Sequence, residues 1–141
     1  MDKRQAYRQL FGTIAEDLTE YQRLLARLEA QFRAALEHDA AALAMSADEI
    51  AESCVRLERS RRARLELVRG LLPAGAEASM TAALAVLPPA LRDQAGAHWQ
   101  RLRGLIAECR ESNLRNGHLL QQRRELLQRV LVGESDVYLA Q

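Results

Sequence analysis

Apolar residues in the first part of the chain recur at alternating steps of four and three: Tyr7, Phe11, Ile14, Leu18, Tyr21, Leu25, Leu28, Phe32 and Ala35. On an α-helix this spacing forms one stripe, the seam of a heptad repeat that packs helix against helix. Leu10, Leu24 and Leu36 widen the stripe, which predicts a bundle with more than one neighbouring helix. The stripe fails at Glu37-His38-Asp39. A second one starts with Leu43, Ala47, Ile50, Cys54 and Leu57 and continues through Leu65, Val68 and Leu72. No Gly or Pro falls between Gly12 and Gly70, so the helices must be long. The Asp39 carboxylate can accept from backbone N–H groups at a helix start, which predicts a tight hairpin at 37–40. The alternative is one unbroken helix from residue 4 to 70, whose seam a second chain would have to cover.

Gly70-Leu71-Leu72-Pro73 ends the second stripe, and 73–78 is expected as a loop. Ser79 can cap a short helix. Pro88-Pro89 then breaks the chain, because proline cannot continue a helix and restricts the residue before it. A last long helix follows, with Gly133 placed as its C-terminal stop. The expected fold is all-α: an antiparallel bundle of three long helices with a short extra helix, coiled-coil-like packing and an extended last helix. The helices should span about 4–36, 40–71, 79–87 and 90–132, forming one unit over 1–132 with a flexible tail at 133–141. At 1.5 Å per residue the first two long helices reach roughly 50 Å and the last roughly 65 Å, so the last one should overhang the hairpin or bend.

The last helix breaks its own pattern. Its seam runs Trp99, Leu102, Ile106, Cys109, then Asn113 and Asn116, then Leu120. Two seam asparagines cost stability unless their amides find partners, and a buried polar layer of this kind sets bundle register. Gly117 costs about 1 kcal/mol relative to Ala in a helix interior, which makes sense if another helix approaches closely. Past it, Leu119-Leu120, Leu126-Leu127 and Val130-Leu131 recur as pairs, with Arg123 interrupting the seam. Such a stripe suits packing inside the bundle or a groove for a partner's amphipathic helix.

Composition narrows the function classes. With 48% hydrophobic and 28% charged residues, the chain is neither a disordered tail nor a membrane protein. The net charge of +1 supplies no basic field for nucleic acid. The run Arg59 to Arg64, flanked by Glu58 and Glu66, is expected as a solvated helix face. Glu29/Arg33, Glu52/Arg56, Glu58/Arg62, Glu111/Arg115 and Glu125/Arg129 at i, i+4 mark further water-facing surfaces. Cys54 and Cys109 make no disulfide framework or zinc motif; both fall on seams and are expected as small buried hydrophobes in a reducing cytoplasm. His38, His98 and His118 have no second ligand at helical spacing, and no phosphate loop or nucleophile elbow occurs. No catalytic residue, metal or cofactor is therefore expected. The N-terminus lacks the apolar core of a secretory signal, and no run approaches the ~20 apolar residues of a membrane span.

At Glu108-Cys109-Arg110-Glu111-Ser112-Asn113-Leu114-Arg115-Asn116-Gly117-His118-Leu119-Leu120 the sequence resembles the FlgN family of bacterial flagellar export chaperones, whose late helix carries Cys, Asn-x-x-Asn-Gly and a leucine pair. The turn at Asp39 fits the same layout. The resemblance implies a cytoplasmic chaperone that holds the C-terminal amphipathic segment of hook-associated proteins, the hook–filament junction proteins, and delivers it to the export gate. It implies client binding by Leu119, Leu120, Arg123, Leu126, Leu127, Val130 and Leu131, and docking to the cytoplasmic domain of the export gate by Tyr138. The alternative is a structural coiled-coil scaffold or oligomerisation module, and self-association is a partner option under either.

Overall fold

The computed structural model describes the backbone of residues 1–133 and the side chains of 1–129. Four helices follow in order: α1 (Lys3–Leu36), α2 (Ala40–Leu71), α3 (Met80–Ala85) and α4 (Pro89–Gly133). Three N-termini are capped by short polar side chains that accept from orphan N–H groups. Asp2 accepts from Gln5 at 2.8 Å, Asp39 from Ala42 at 3.0 Å and Ser79 from Ala82 at 3.2 Å. α3 is shorter than its sequence suggests. Val86 and Leu87 lie outside it, because Pro88 disfavours a helical conformation at the residue before it.

The hairpin between α1 and α2 closes without glycine. The His38 N–H donates to the Ala35 carbonyl at 3.3 Å and the Asp39 N–H to the Ala34 carbonyl at 3.0 Å. These are the paired bonds of a Schellman turn, which needs a left-handed residue between helix end and exit. His38 takes that place with φ 56. The unbroken-helix alternative is thereby excluded.

α1 is the middle of the bundle and carries two seams. Ala6, Leu10, Asp17, Glu20, Leu24 and Arg27 face α2, whereas Ile14, Tyr21, Leu28 and Phe32 face α4. The seams are offset by one residue, about 100° around the helix. α2 and α4 are consequently held apart, and among the described residues no Cα of one lies within 8 Å of the other. Long side chains bridge them: the Arg64 guanidinium lies 5.6 Å from the Trp99 ring centroid.

The two interfaces differ in chemistry. Two apolar clusters lie along the α1–α2 interface. One holds Ala6, Leu10, Val68, Leu71 and Ala83, and the other Leu24, Leu28 and Leu57 with Cys109 of α4. Between them the interface is polar. Arg64 donates to Asp17 at 2.8 Å and Ser53 donates to Glu20 at 3.0 Å; beside the second cluster Arg27 donates to Ser53 and to the Glu49 carbonyl, both at 2.7 Å.

This layer corrects two expectations. Leu57 and Val68 are buried as expected, but the alternate positions shift one residue earlier: Ser46, Ser53, Arg64 and Leu71 are buried where the apolar spacing predicts Ala47, Cys54, Leu65 and Leu72, and Ala47 and Cys54 are exposed. Nor is 59–64 a wholly solvated face: Arg59, Arg61 and Arg62 meet water, but Arg64 is buried. Polar residues can occupy an interface when their partners stand across it, and apolar spacing along one helix carries no record of those partners.

Candidate functional site

α4 runs parallel to α1. Cys109 lies level with Tyr21, whose carbonyl its Sγ approaches at 3.6 Å, and Asn116 lies level with Leu28 and Gln31. Ala95, Leu102, Cys109 and Asn116 are all buried and spaced by seven, so one line along α4 stays in contact with α1. α1 ends at Leu36, roughly level with residue 122 of α4. The remainder of α4 extends beyond the hairpin by roughly 15 Å.

Asn116 closes the covered part of the line. Its amide donates to the Leu28 carbonyl and to the Gln31 side chain, both at 2.8 Å, and its oxygen accepts from Arg115 at 3.1 and 3.2 Å. The Arg115 guanidinium stacks 3.8 Å from the Phe32 ring centroid and donates to Glu29 at 3.0 Å. Arg115 thus leaves Glu111, four residues earlier on its own helix, and joins α4 to α1. The environment of Asn116 is fully bonded, as a buried amide requires.

Its two companions behave otherwise. Asn113 is exposed, because Ser112 occupies the flank of the line that turns toward α1. Gly117 is exposed as well, and a methyl group there would meet nothing within 4 Å. The expected close helix approach at Gly117 is therefore absent, since that side of α4 faces solvent.

Beyond Asn116 the same line reaches Arg123, flanked first by Leu119 and Leu120 and then by Leu126 and Leu127. Leu119, Leu120 and Arg123 are half-buried, whereas Leu126 and Leu127 are 59% and 57% exposed. Leu36, at the end of α1, is also exposed. Its sequence pattern marks it as packing, but it falls off both seams of α1, whose buried positions at this end are Ala34 and Ala35. Single exposed apolar residues elsewhere, such as Met45 and Val55, are ordinary. Two adjacent leucines continuing a packed stripe suit the capture of another apolar surface. The side chains of Val130 and Leu131, and Tyr138, lie outside the described residues.

The nucleophile candidates divide sharply. Cys54 is exposed, contrary to the expectation of burial, because it lies just off the α2 seam. Cys109 is buried, and burial, with the nearby Glu108 carboxylate, pushes its thiol up to about 11. Such a thiol is protonated and inert near neutrality. Among the described residues no group of three acidic, His or Cys side chains could hold a metal ion, and no helix is long and apolar enough to cross a membrane. What the end of α4 can do is bury the apolar face of another helix and pair its guanidinium groups with carboxylates.

No curated protein and no solved structure matches the chain. Among protein families, the one described as FlgN protein matches residues 1–132, from the first helix to the far end of α4. With its three long helices and the leucine-rich end of the last, the chain belongs to the FlgN family of flagellar export chaperones.

Proposed function

We propose that this protein is a cytoplasmic chaperone for hook-associated proteins, holding their C-terminal amphipathic segment on the free end of α4 until export. The observation that carries this reading is the exposure of Leu126 and Leu127 beside the continuation of the line that packs against α1. A client helix laid there would take the place that α1 vacates at Leu36. Leu119, Leu120, Arg123, Leu126, Leu127, Val130 and Leu131 form the client surface, and residues 1–132 act as the holding unit. The tail at 133–141 carries Tyr138, which docks to the cytoplasmic domain of the export gate.

Co-purification with the C-terminal segment of a hook-associated protein tests the reading. Leu126→Asp with Leu127→Asp should abolish capture while the circular dichroism spectrum stays that of the parent. Capture undiminished by the double substitution would refute the surface. Tyr138→Ala should leave client capture intact and weaken retention on an immobilised gate domain; unchanged retention would remove the docking role. Self-association through the same leucines is the competing reading. Light scattering decides it: a dimer dispersed by the double substitution would favour an oligomerisation module.

A further inference from the structure

Arg123 stands where an apolar residue would be expected. It continues the seven-residue line of Ala95, Leu102, Cys109 and Asn116, and it is half-buried between the covered leucine pair 119–120 and the exposed pair 126–127. Among the described residues it has no carboxylate within 4 Å. Glu37 and Asp39, at the hairpin beside the end of α1, form no ion pair with it, and Asp39 is engaged in capping α2. Any helix that covers Leu126 and Leu127 by continuing along this line would also cover Arg123. Covering an unpaired guanidinium is costly unless the covering helix supplies an acceptor.

The bundle already contains one solution to this problem. Arg64 occupies a seam position of α2, and α1 meets it with Asp17 at its own seam, at 2.8 Å and out of water. The flanks of the free stripe add to the same demand. Arg124 and Arg129 border the leucine pair, with Glu125 as the one carboxylate of that stretch and already accepting from Gln121.

We infer that Arg123 is a specificity-determining residue of the client surface, selecting an amphipathic helix whose apolar ridge is interrupted by a carboxylate. This rests on the reading of the α4 end as the client surface and adds to it the chemistry of the client. The leucines supply affinity for any apolar ridge, and Arg123 chooses among ridges. It also sets the register of the client, because only one placement brings the carboxylate to the guanidinium.

The test uses the full chain and three synthetic amphipathic helices that share one leucine ridge and differ at its central position, which is Glu, Gln or Lys. Binding is followed by fluorescence anisotropy. The Glu peptide should bind the parent protein about tenfold more tightly than the Lys peptide, and this preference should shrink as salt rises. Arg123→Glu should invert the order, and Arg123→Gln should level it. An order unchanged in both variants overturns the role of Arg123, even if Leu126→Asp with Leu127→Asp abolishes binding of all three and so upholds the surface. Undiminished binding of all three peptides by that leucine variant overturns the surface itself. No binding of any peptide to the parent protein, or binding only after removal of 134–141, also overturns the inference. In the latter case the occupant of the surface is the chain's own tail.

Discussion

Arg64 of α2 donates to Asp17 of α1 at 2.8 Å, with only 9% and 4% of their side chains exposed, while its guanidinium also faces Trp99 of α4 at 5.6 Å. One side chain therefore touches all three long helices and spans the gap left between α2 and α4. Removing one partner of a buried pair strands the other charge, whereas replacing both with apolar groups removes the desolvation cost as well. Arg64→Met alone should lower unfolding free energy by about 3–5 kcal/mol. Asp17→Leu with Arg64→Met should recover most of that loss or exceed the parent. Urea titration followed by circular dichroism measures both. Trp99 is the sole tryptophan, so its emission should shift in either variant as a local check.

The asparagines of the last helix should separate in the same assay. Asn116→Ala removes an amide bonded to Leu28 and Gln31 and leaves a hole at a buried position, with an expected loss of about 1–3 kcal/mol. Asn113→Ala, on the solvent side, should stay within about 0.5 kcal/mol of the parent. Gly117→Ala should stabilise by up to about 1 kcal/mol, because the added methyl meets nothing and the helix gains a better former. A destabilising Gly117→Ala would mean that another helix does approach there.

His38 holds a left-handed conformation at the hairpin, with φ 56. An L side chain there carries a steric cost that glycine escapes. His38→Gly should raise stability by about 0.5–1 kcal/mol, offset in part by the freedom glycine adds to the unfolded chain. His38→Val should lower it, since a β-branched residue tolerates positive φ poorly. Thermal melts of the three proteins would rank them.

The two thiols give a test that depends on pH. A water-soluble disulfide reagent at neutral pH should modify Cys54 quickly and Cys109 only on unfolding. The buried Cys109 thiol titrates at about 11 in the folded chain against an ordinary 9.0. Between these values the folded protein keeps a proton that the unfolded chain has lost, so stability falls as pH rises across that window. Its contribution is complete below pH 9. Cys109→Ala should flatten the alkaline part of the pH–stability curve relative to the parent, and an unchanged slope would place the loss elsewhere.

Much of the architecture was legible in the residues. The four-and-three spacing of α1, the absence of Gly and Pro between residues 12 and 70, Asp39 as a cap and Pro88-Pro89 as a break are local signals, and each places a helix or an end. The Asn-x-x-Asn-Gly segment was legible as a family mark but not as geometry. Asn113 and Asn116 are three apart and look equivalent along the sequence, yet one faces α1 and the other water. The cysteines, both at apolar spacing, divided in the same way.

The sequence by itself determined where the helices lie and how long they are, and hence that α4 outruns the hairpin, because periodicity, caps and breakers act within a few residues of the positions they control. Only the tertiary structure decided that α1 stands between α2 and α4, that Asp17, Glu20, Ser53 and Arg64 form the middle of one interface, and that Arg123 is left half-buried and Leu126 and Leu127 exposed where α4 passes the end of α1. Those outcomes depend on which group stands opposite which across a helix pair. Asp17 and Arg64 are 47 residues apart, and neither carries a local sign that the other is its partner.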